Sequence, residues 1–577
     1  MAADAARVAA ELFERAFQDE IDRSPEFQTY LGIKQDYGAW DDPSEARAVE
    51  DLSRTLAFLA ELKRSVDVRE IDPDTRLSAR LFEQRALHAA AGFRFRNHGY
   101  LITQGGGPFS DKPDLLITQH RIDDESDARA YIARLRGIDP LFQAIGDRLR
   151  QQAELGIIPP RWVFPQAAEV ARNVIAGRPF DDASADSPLW ADFQEKLAGV
   201  EGLAPGTREA LLGEARAALV ESVRPAYTRL LTQWNELAEK ATDDDGAWKL
   251  PDGADYYNQR LARWTTTTLT AEEIHAIGLR EVARIHGEIR ALMGQTGFAG
   301  DLQAFFSYLR EDPRFYFPDT PEGREDYLAR VTAVVDDMRG RLDALFITKP
   351  RADIVVKATE PYREKSAPKA FYQPAAPNGS RPGMYYVTLY NLREMPVYQL
   401  EAIAYHEGLP GHHMQIAIAQ ELKGLPRFRR FEGYGAYSEG WGLYCELLPK
   451  EIGLYRDPYS DVGRLAMSLL RAVRLVVDTG IHAKHWTRQQ AIDYFAANSP
   501  MDPGEIVREV ERYIVWPGQA TSYMVGMLKI LELREIARRE LGSAFDIREF
   551  HDVILRQGAL PLDVLEEQVR AWIERKR

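Results

Sequence analysis

Tyr405-His-Glu-Gly-Leu-Pro-Gly-His-His-Met-Gln415 decides the reading of this chain. Eleven histidines occur in the whole sequence, and three of them fall in this segment, beside Glu407. Neutral imidazole and carboxylate are preferred zinc donors, and a catalytic zinc site takes three protein ligands while leaving a position for water. In the common zinc-protease helix, H-E-x-x-H, the two histidines sit four apart and face one way. Here His412 lies six residues after His406, and His413 seven. On a regular helix six residues turn through about 600°, which points His412 away from His406. Seven bring His413 nearly back into phase, but about 10.5 Å along the axis. Pro410 cannot continue the hydrogen-bond ladder, and Gly408 and Gly411 accept unusual backbone angles. A two-residue bulge at Gly-Leu-Pro would set His412 where the fourth residue normally stands. His406 and His412 are therefore the favoured ligands, with His413 the close alternative.

A third ligand comes from Gly433-Tyr-Gly-Ala-Tyr-Ser-Glu-Gly-Trp-Gly442. Glu439 stands there among small and aromatic residues, where an uncompensated carboxylate is costly and coordination would relieve the cost. Glu446 and Glu432 lie seven residues to either side. Each is an alternative ligand, or an acceptor that fixes a histidine tautomer.

Outward from these motifs, helical spacing dominates. Ala6–Phe17, Glu45–Leu62, Leu77–Ala91, Ala128–Leu155, Ala167–Ala176 and Arg208–Lys240 place apolar residues at three- and four-residue steps, the last interrupted at Pro225. Tyr398–Ala404 reads as a helix leading into His406. Thr270-Ala-Glu-Glu273 and Thr487-Arg-Gln-Gln490 have the form of capping boxes. The polar tract Thr242–Gly253 reads as a linker and divides the chain into an N-terminal helical lobe, 1–245, and a catalytic lobe, 246–577. Ile354–Ala358 and Met384–Tyr390 are β-branched and aromatic, and read as two short strands joined by a loop. Arg471, Arg474, Asp478 and His482 fall on neighbouring helical turns. His482 could hydrogen-bond a tetrahedral intermediate and Arg474 could hold a substrate carboxylate, while a structural ion-pair network explains the same pattern.

Composition removes other function classes. The 577 residues carry a formal charge of −15, which lacks the basic stripe that nucleic acid or an anionic membrane requires. The single cysteine, Cys445, cannot form an internal disulfide. No stretch approaches the ~20 apolar residues of a membrane span. The first residues read as an amphipathic helix and not as a signal h-region. The expected location is cytoplasmic, or periplasmic or secreted if a signal peptide is removed from a precursor.

The HEGLPGHH segment, followed by YSEGWG and by VWPGQATSYMVG at 515–526, resembles the bacterial family called domain of unknown function 885. That family is similar to zinc metallopeptidases of the gluzincin type, among them the thimet-oligopeptidase, angiotensin-converting-enzyme and carboxypeptidase Taq families. The similarity covers most of the chain and is sharpest from about Tyr385 to Gly526. It implies a mainly α, two-lobed metallopeptidase-like fold, with a small β-sheet beside the zinc helix and a central channel. In those relatives the zinc helix reads H-E-x-G-H, and Gly411-His412 matches its end if two residues are inserted. Their glutamate ligand follows by about two dozen residues, and Glu439 stands 27 after His412. The resemblance further implies that Tyr385–Leu389, including Tyr386, is an edge strand on which substrate backbone adds. It makes Tyr523 the hydroxyl that steadies the oxyanion, with Tyr513 as its alternative and substrate-binding neighbour. The expected activity is a zinc-dependent hydrolysis of oligopeptides with Glu407 as general base. The rival readings are a metal-dependent amidohydrolase of a non-peptide amide, and a metal- or peptide-binding protein without turnover.

Overall fold

Thr270 and Glu273 close the capping box that opens the Ala271–Thr296 helix: Thr270 N–H donates to Glu273 Oε2 at 2.8 Å, and Glu273 N–H donates to Thr270 Oγ1 at 3.2 Å. Thr487 and Gln490 make the same exchange, at 2.9 and 3.2 Å, ahead of Arg488–Asn498. Such reciprocal bonds satisfy two donors that a helix start leaves open. The computed structural model describes residues 2–361, 364 and 367–577. Helix predominates in it, and strand is confined to three short segments. No helix among the described residues is long and apolar enough to cross a membrane.

Two compact units divide the chain: Met1–Asp243 with Pro426–Phe428, and Asp244–Leu425 with Arg429–Arg577. In the first, Arg134 of the Glu125–Glu154 helix is fully buried. Its guanidinium donates to Ala39 O at 3.0 Å and Thr29 Oγ1 at 2.7 Å, and it lies 5.1 Å over the Trp40 ring. The interruption expected at Pro225 is a wider turn just ahead of it and not a break in the helix. Pro205–Ala218 runs through a wider turn, Leu219–Val223, into Arg224–Lys240, with Pro225 in the opening turn of the last segment. There its missing N–H is not needed.

The second unit is organised by the Pro458–Ala483 helix, whose residues from Ser460 to His482 are all buried. A helix buried on every side needs neighbours on every side. Ala271–Thr296 and Val397–Glu407 are its largest partners. The Gly435–Glu451 and Ser522–Leu541 helices meet at Gly440 and Gly526, where a Cβ on Gly440 would stand 2.5 Å from Gly526 Cα. Only two glycines permit that approach. The tract expected as a linker is packed into this unit from Asp245 onward. Asp245 Oδ2 accepts the Arg488 N–H at 2.9 Å, and Ala247 N–H donates to His482 Nδ1 at 2.9 Å.

The sheet has three strands, one more than the sequence signalled. β1 (Ile354–Ala358), β2 (Ala370–Gln373) and β3 (Gly383–Val387) lie in the order β1-β3-β2, with β1 parallel and β2 antiparallel to β3. The expected edge strand is thus the central one. Tyr386 pairs with Lys357 on one side and Phe371 on the other, and its ring stacks on Phe371 at 4.8 Å. Nothing further can add beside it, so the open edges belong to β1 and β2.

Candidate metal centre

The six-residue step from His406 to His412 is made by a break between two helices, and the bulge expected within one helix does not occur. Val397–Glu407 ends at Gly408, whose N–H closes the last turn onto Ala404 O at 2.9 Å. The chain reverses through a cis Leu409–Pro410 peptide, and a second helix, His412–Glu421, begins directly after Gly411. Gly411 lies flat on the end of the first helix: a Cβ there would stand 1.8 Å from His406 O. Trp441 Nε1 donates to Pro410 O at 3.0 Å, and Cys445 Sγ lies 3.3 Å from the same oxygen. The YSEGWG motif thereby holds the HEGLPG turn in place.

The Gly435–Glu451 helix presents Glu439, Gly442 and Glu446 at i, i+3 and i+7, which share one face. The His406 imidazole lies across that face. A Cβ on Gly442 would come within 2.8 Å of its Nε2, so only glycine leaves room for the ring. His406 Nδ1 donates to Glu446 Oε1 at 2.8 Å, and Nε2 faces Glu439 Oε2 at 3.6 Å. His412 Nε2 approaches the same Glu439 oxygen at 3.3 Å, its ring perpendicular to that of His406 with centroids 4.7 Å apart. One donor atom from each of His406, His412 and Glu439 lies within 4.8 Å of the others.

The protonation pattern tests whether this group fits an ion. With its Nδ1 hydrogen given to Glu446, neutral His406 has a lone pair on Nε2, aimed at an oxygen that also carries lone pairs. That contact is repulsive unless a proton or a metal ion lies between. Burial alone would keep His406 neutral, but bonding to Glu439 and Glu446, with Glu407 beside them, raises it to about 10. Burial likewise opposes the charge of Glu439, yet bonding to His406 and His412 holds its carboxyl well below the ordinary range. His412 Nδ1 and Glu446 Oε2 are buried without a hydrogen-bond partner. Two imidazoles and a carboxylate around a demand for positive charge suit a divalent ion such as zinc.

The other candidates are distributed as follows. Glu407, half-buried, follows His406 and ends its helix. The neighbouring Tyr385 hydroxyl is held well above its usual range by burial, with the Tyr327 hydroxyl and the Glu407 carboxylate adding to the shift. His413 is turned away from the cluster. Its Nε2 donates to Ala352 O at 3.1 Å and its Nδ1 accepts from the Tyr372 hydroxyl at 3.0 Å, while burial pushes it down to about 4.

Tyr523 lies beside His406, ring centroids 6.3 Å apart and planes 24° apart. Its oxygen accepts from Arg512 Nη2 at 3.1 Å and Gln519 Nε2 at 3.4 Å, which leaves its own hydrogen to donate. Arg512 and Gln519 were not signalled by the sequence. Arg474 is 4% exposed, is bound to Glu509 at 2.7 Å and Tyr513 Oη at 3.0 Å, and lies 4.5 Å over the Tyr523 ring, while its Nη1 is buried without a hydrogen-bond partner. Tyr513 donates in turn to Glu509 at 2.5 Å, an i, i+4 pair that helical spacing could have exposed. His482 is engaged on both sides. With Nδ1 accepting from Ala247 and Nε2 donating to Tyr513 O at 3.0 Å, both ring nitrogens serve the backbone. Glu432 is not part of the cluster.

The family model described as "Bacterial protein of unknown function (DUF885)" matches residues 25–569, and the chain belongs to that family. Among solved structures, one described as a "putative lipoprotein" from Colwellia psychrerythraea is 31% identical, covers 99% of each chain and superposes with a TM-score of 0.92. A second, from Shewanella oneidensis and described as a "putative lipoprotein of unknown function", is 20% identical, covers 97% of this chain and 99% of its own, and has a TM-score of 0.71. None of the curated proteins matches the sequence.

Proposed function

We propose that this member of the DUF885 family is a divalent-metal-dependent hydrolase, with zinc as the expected ion and peptide bonds of oligopeptides as the expected target. The observation that carries the proposal is the convergence of two imidazole Nε2 atoms on one oxygen of Glu439, with Glu407 next to a proposed ligand. A pure binding site has no need of that adjacent carboxylate. His406, His412 and Glu439 would hold the ion, and Glu446 would keep the His406 lone pair turned inward. When bound, such an ion polarises the scissile carbonyl and lowers the pKa of a coordinated water to about 7. Glu407 would take the proton of the attacking water on its carboxylate and return it to the leaving amine. The free hydrogen of Tyr523 would go to the oxygen on which charge develops.

The sheet supports a revised account of how a peptide lies. With β3 enclosed, backbone addition would fall to an outer strand, and β1 stands close to the motif: a Cβ on Gly408 would lie 3.8 Å from Ile354 Cδ1. The description of the Colwellia relative as a lipoprotein supports an exported location for this chain. A fluorogenic peptide library, screened with and without chelator alongside metal analysis, tests the reading. Cleavage that a chelator abolishes and zinc restores is the expected result. Full zinc content with no amide cleaved would overturn the hydrolase and favour a binding protein.

A further inference from the structure

We propose that a cavity against the His406 helix, separate from the metal cluster, is a second binding site built for the zwitterion of a short peptide with apolar or aromatic side chains. The cavity measures about 660 Å³, within the range of small-ligand pockets, and none of His406, Glu407, His412 or Glu439 lines it. It is formed by one face of the Val397–Glu407 helix, by the Pro321–Arg339 helix and by the Leu454–Ser460 segment. Aromatic rings make its walls, among them Phe315, Tyr398, Tyr405 and Tyr459.

Six charged residues also line it, Arg314, Arg330, Asp337, Glu401, Arg456 and Asp457, and the pair Arg314 and Glu401 supplies the two opposite charges of the proposed site. The Arg314 guanidinium lies 4.5 Å over the Tyr459 ring and 5.0 Å over Phe315, and has no carboxylate partner among the described residues. A guanidinium attracted to ring faces still has N–H groups to offer a carboxylate. Glu401, on the His406 helix, accepts from Ser460 Oγ at 3.2 Å, and Arg330 is 3.9 Å away. Burial raises the Glu401 carboxyl, Ser460 and Arg330 act against the rise and the Asp457 carboxylate adds to it, so an incoming ammonium would meet a site short of positive charge. Arg314 rests on Tyr459 and Glu401 on Ser460, consecutive residues, and all four line the cavity. Tyr455 also lines the cavity, in a left-handed conformation (φ 57°) uncommon for an aromatic residue. Its hydroxyl donates to the backbone oxygen of Glu446 at 2.8 Å, which links this wall to the residue that orients His406.

The test is calorimetric titration of the full chain with Phe-Phe, N-acetyl-Phe-Phe and Phe-Phe amide. It is run in a Glu407→Gln background so that the probe survives, and repeated with His406→Ala. Phe-Phe is expected to saturate one site in both backgrounds. Arg314→Ala and Glu401→Gln should each weaken it at least about tenfold, the effect of one hydrogen bond to a charged group. Acetylation should weaken binding to the parent protein but add no loss to Glu401→Gln, and amidation should do the same relative to Arg314→Ala. The blocked peptides keep the test valid even if a variant folds poorly. No saturable binding at millimolar peptide, binding indifferent to both blocked termini, or binding that vanishes with His406→Ala would overturn the proposal.

Discussion

His406 donates its Nδ1 hydrogen to Glu446 at 2.8 Å, while the second oxygen of that carboxylate is buried without a hydrogen-bond partner. The pair determines which ring nitrogen of His406 is bare. Glu446→Gln keeps the shape but can present an amide hydrogen instead of an acceptor, so the tautomer is no longer enforced. Metal affinity should fall about 10- to 100-fold, the usual effect of losing such an outer partner. Competition against a zinc-sensitive dye measures it, and unchanged affinity would remove Glu446 from the site.

His406→Ala should abolish the bound ion, because it deletes the nitrogen at the centre of the cluster. Elemental analysis of purified protein is the check. A variant that retains full metal would show the ligand assignment to be wrong.

Glu407→Gln should leave metal content and melting temperature nearly unchanged. Turnover of an identified peptide should fall by at least about 10², the lower end of what general base catalysis supplies. Equal rates for the two proteins would exclude Glu407 as the base.

Tyr523→Phe should keep fold and metal, since the ring contact with His406 remains. One donor to a developing oxyanion is worth about 10² to 10³ in turnover. If kcat is unaffected, the hydroxyl serves only to receive Arg512 and Gln519.

Asp478 gives the stability a pH dependence apart from the metal centre. Burial raises its carboxyl to about 7, against the pull of the Tyr257 hydroxyl, the Gly518 N–H and Arg260. The folded chain therefore holds a proton that the unfolded chain, with an ordinary carboxylate, releases from about pH 4 upward. This group's contribution is favourable at low pH and is lost as pH rises toward 7. Asp478→Asn should flatten the melting-temperature profile between pH 4 and 7. A profile with the same slope in both proteins would contradict the shift.

Much of the helical framework was legible because its signals are local. Thr270 and Thr487 announce their helices within four residues, and Glu439, Gly442 and Glu446 announce one face by spacing alone. The HEGLPGHH turn was legible in composition but not in shape. Its form depends on Trp441 reaching Pro410 from 31 residues away, which no local pattern encodes. The sheet failed for the same reason. Ala370–Gln373 is four residues long, and its place beside β3 is a non-local choice. Missing that strand also hid the partner of His413, since Tyr372 lies on it. Helical phase placed His482 about two turns beyond Arg474, but could not show that Ala247 folds back to occupy its ring.

The contact of Gly440 with Gly526 bears on motion. Glu439 and Tyr523 stand on helices that touch backbone to backbone, one residue and three residues from the glycines where they touch. A side-chain interface can slide by exchanging rotamers, but two bare backbones in register have no such slack. The carboxylate and the phenol are thus mounted on a single rigid frame. Under the proposed function, any breathing that admits a long substrate would carry both together and would have to hinge elsewhere in this unit.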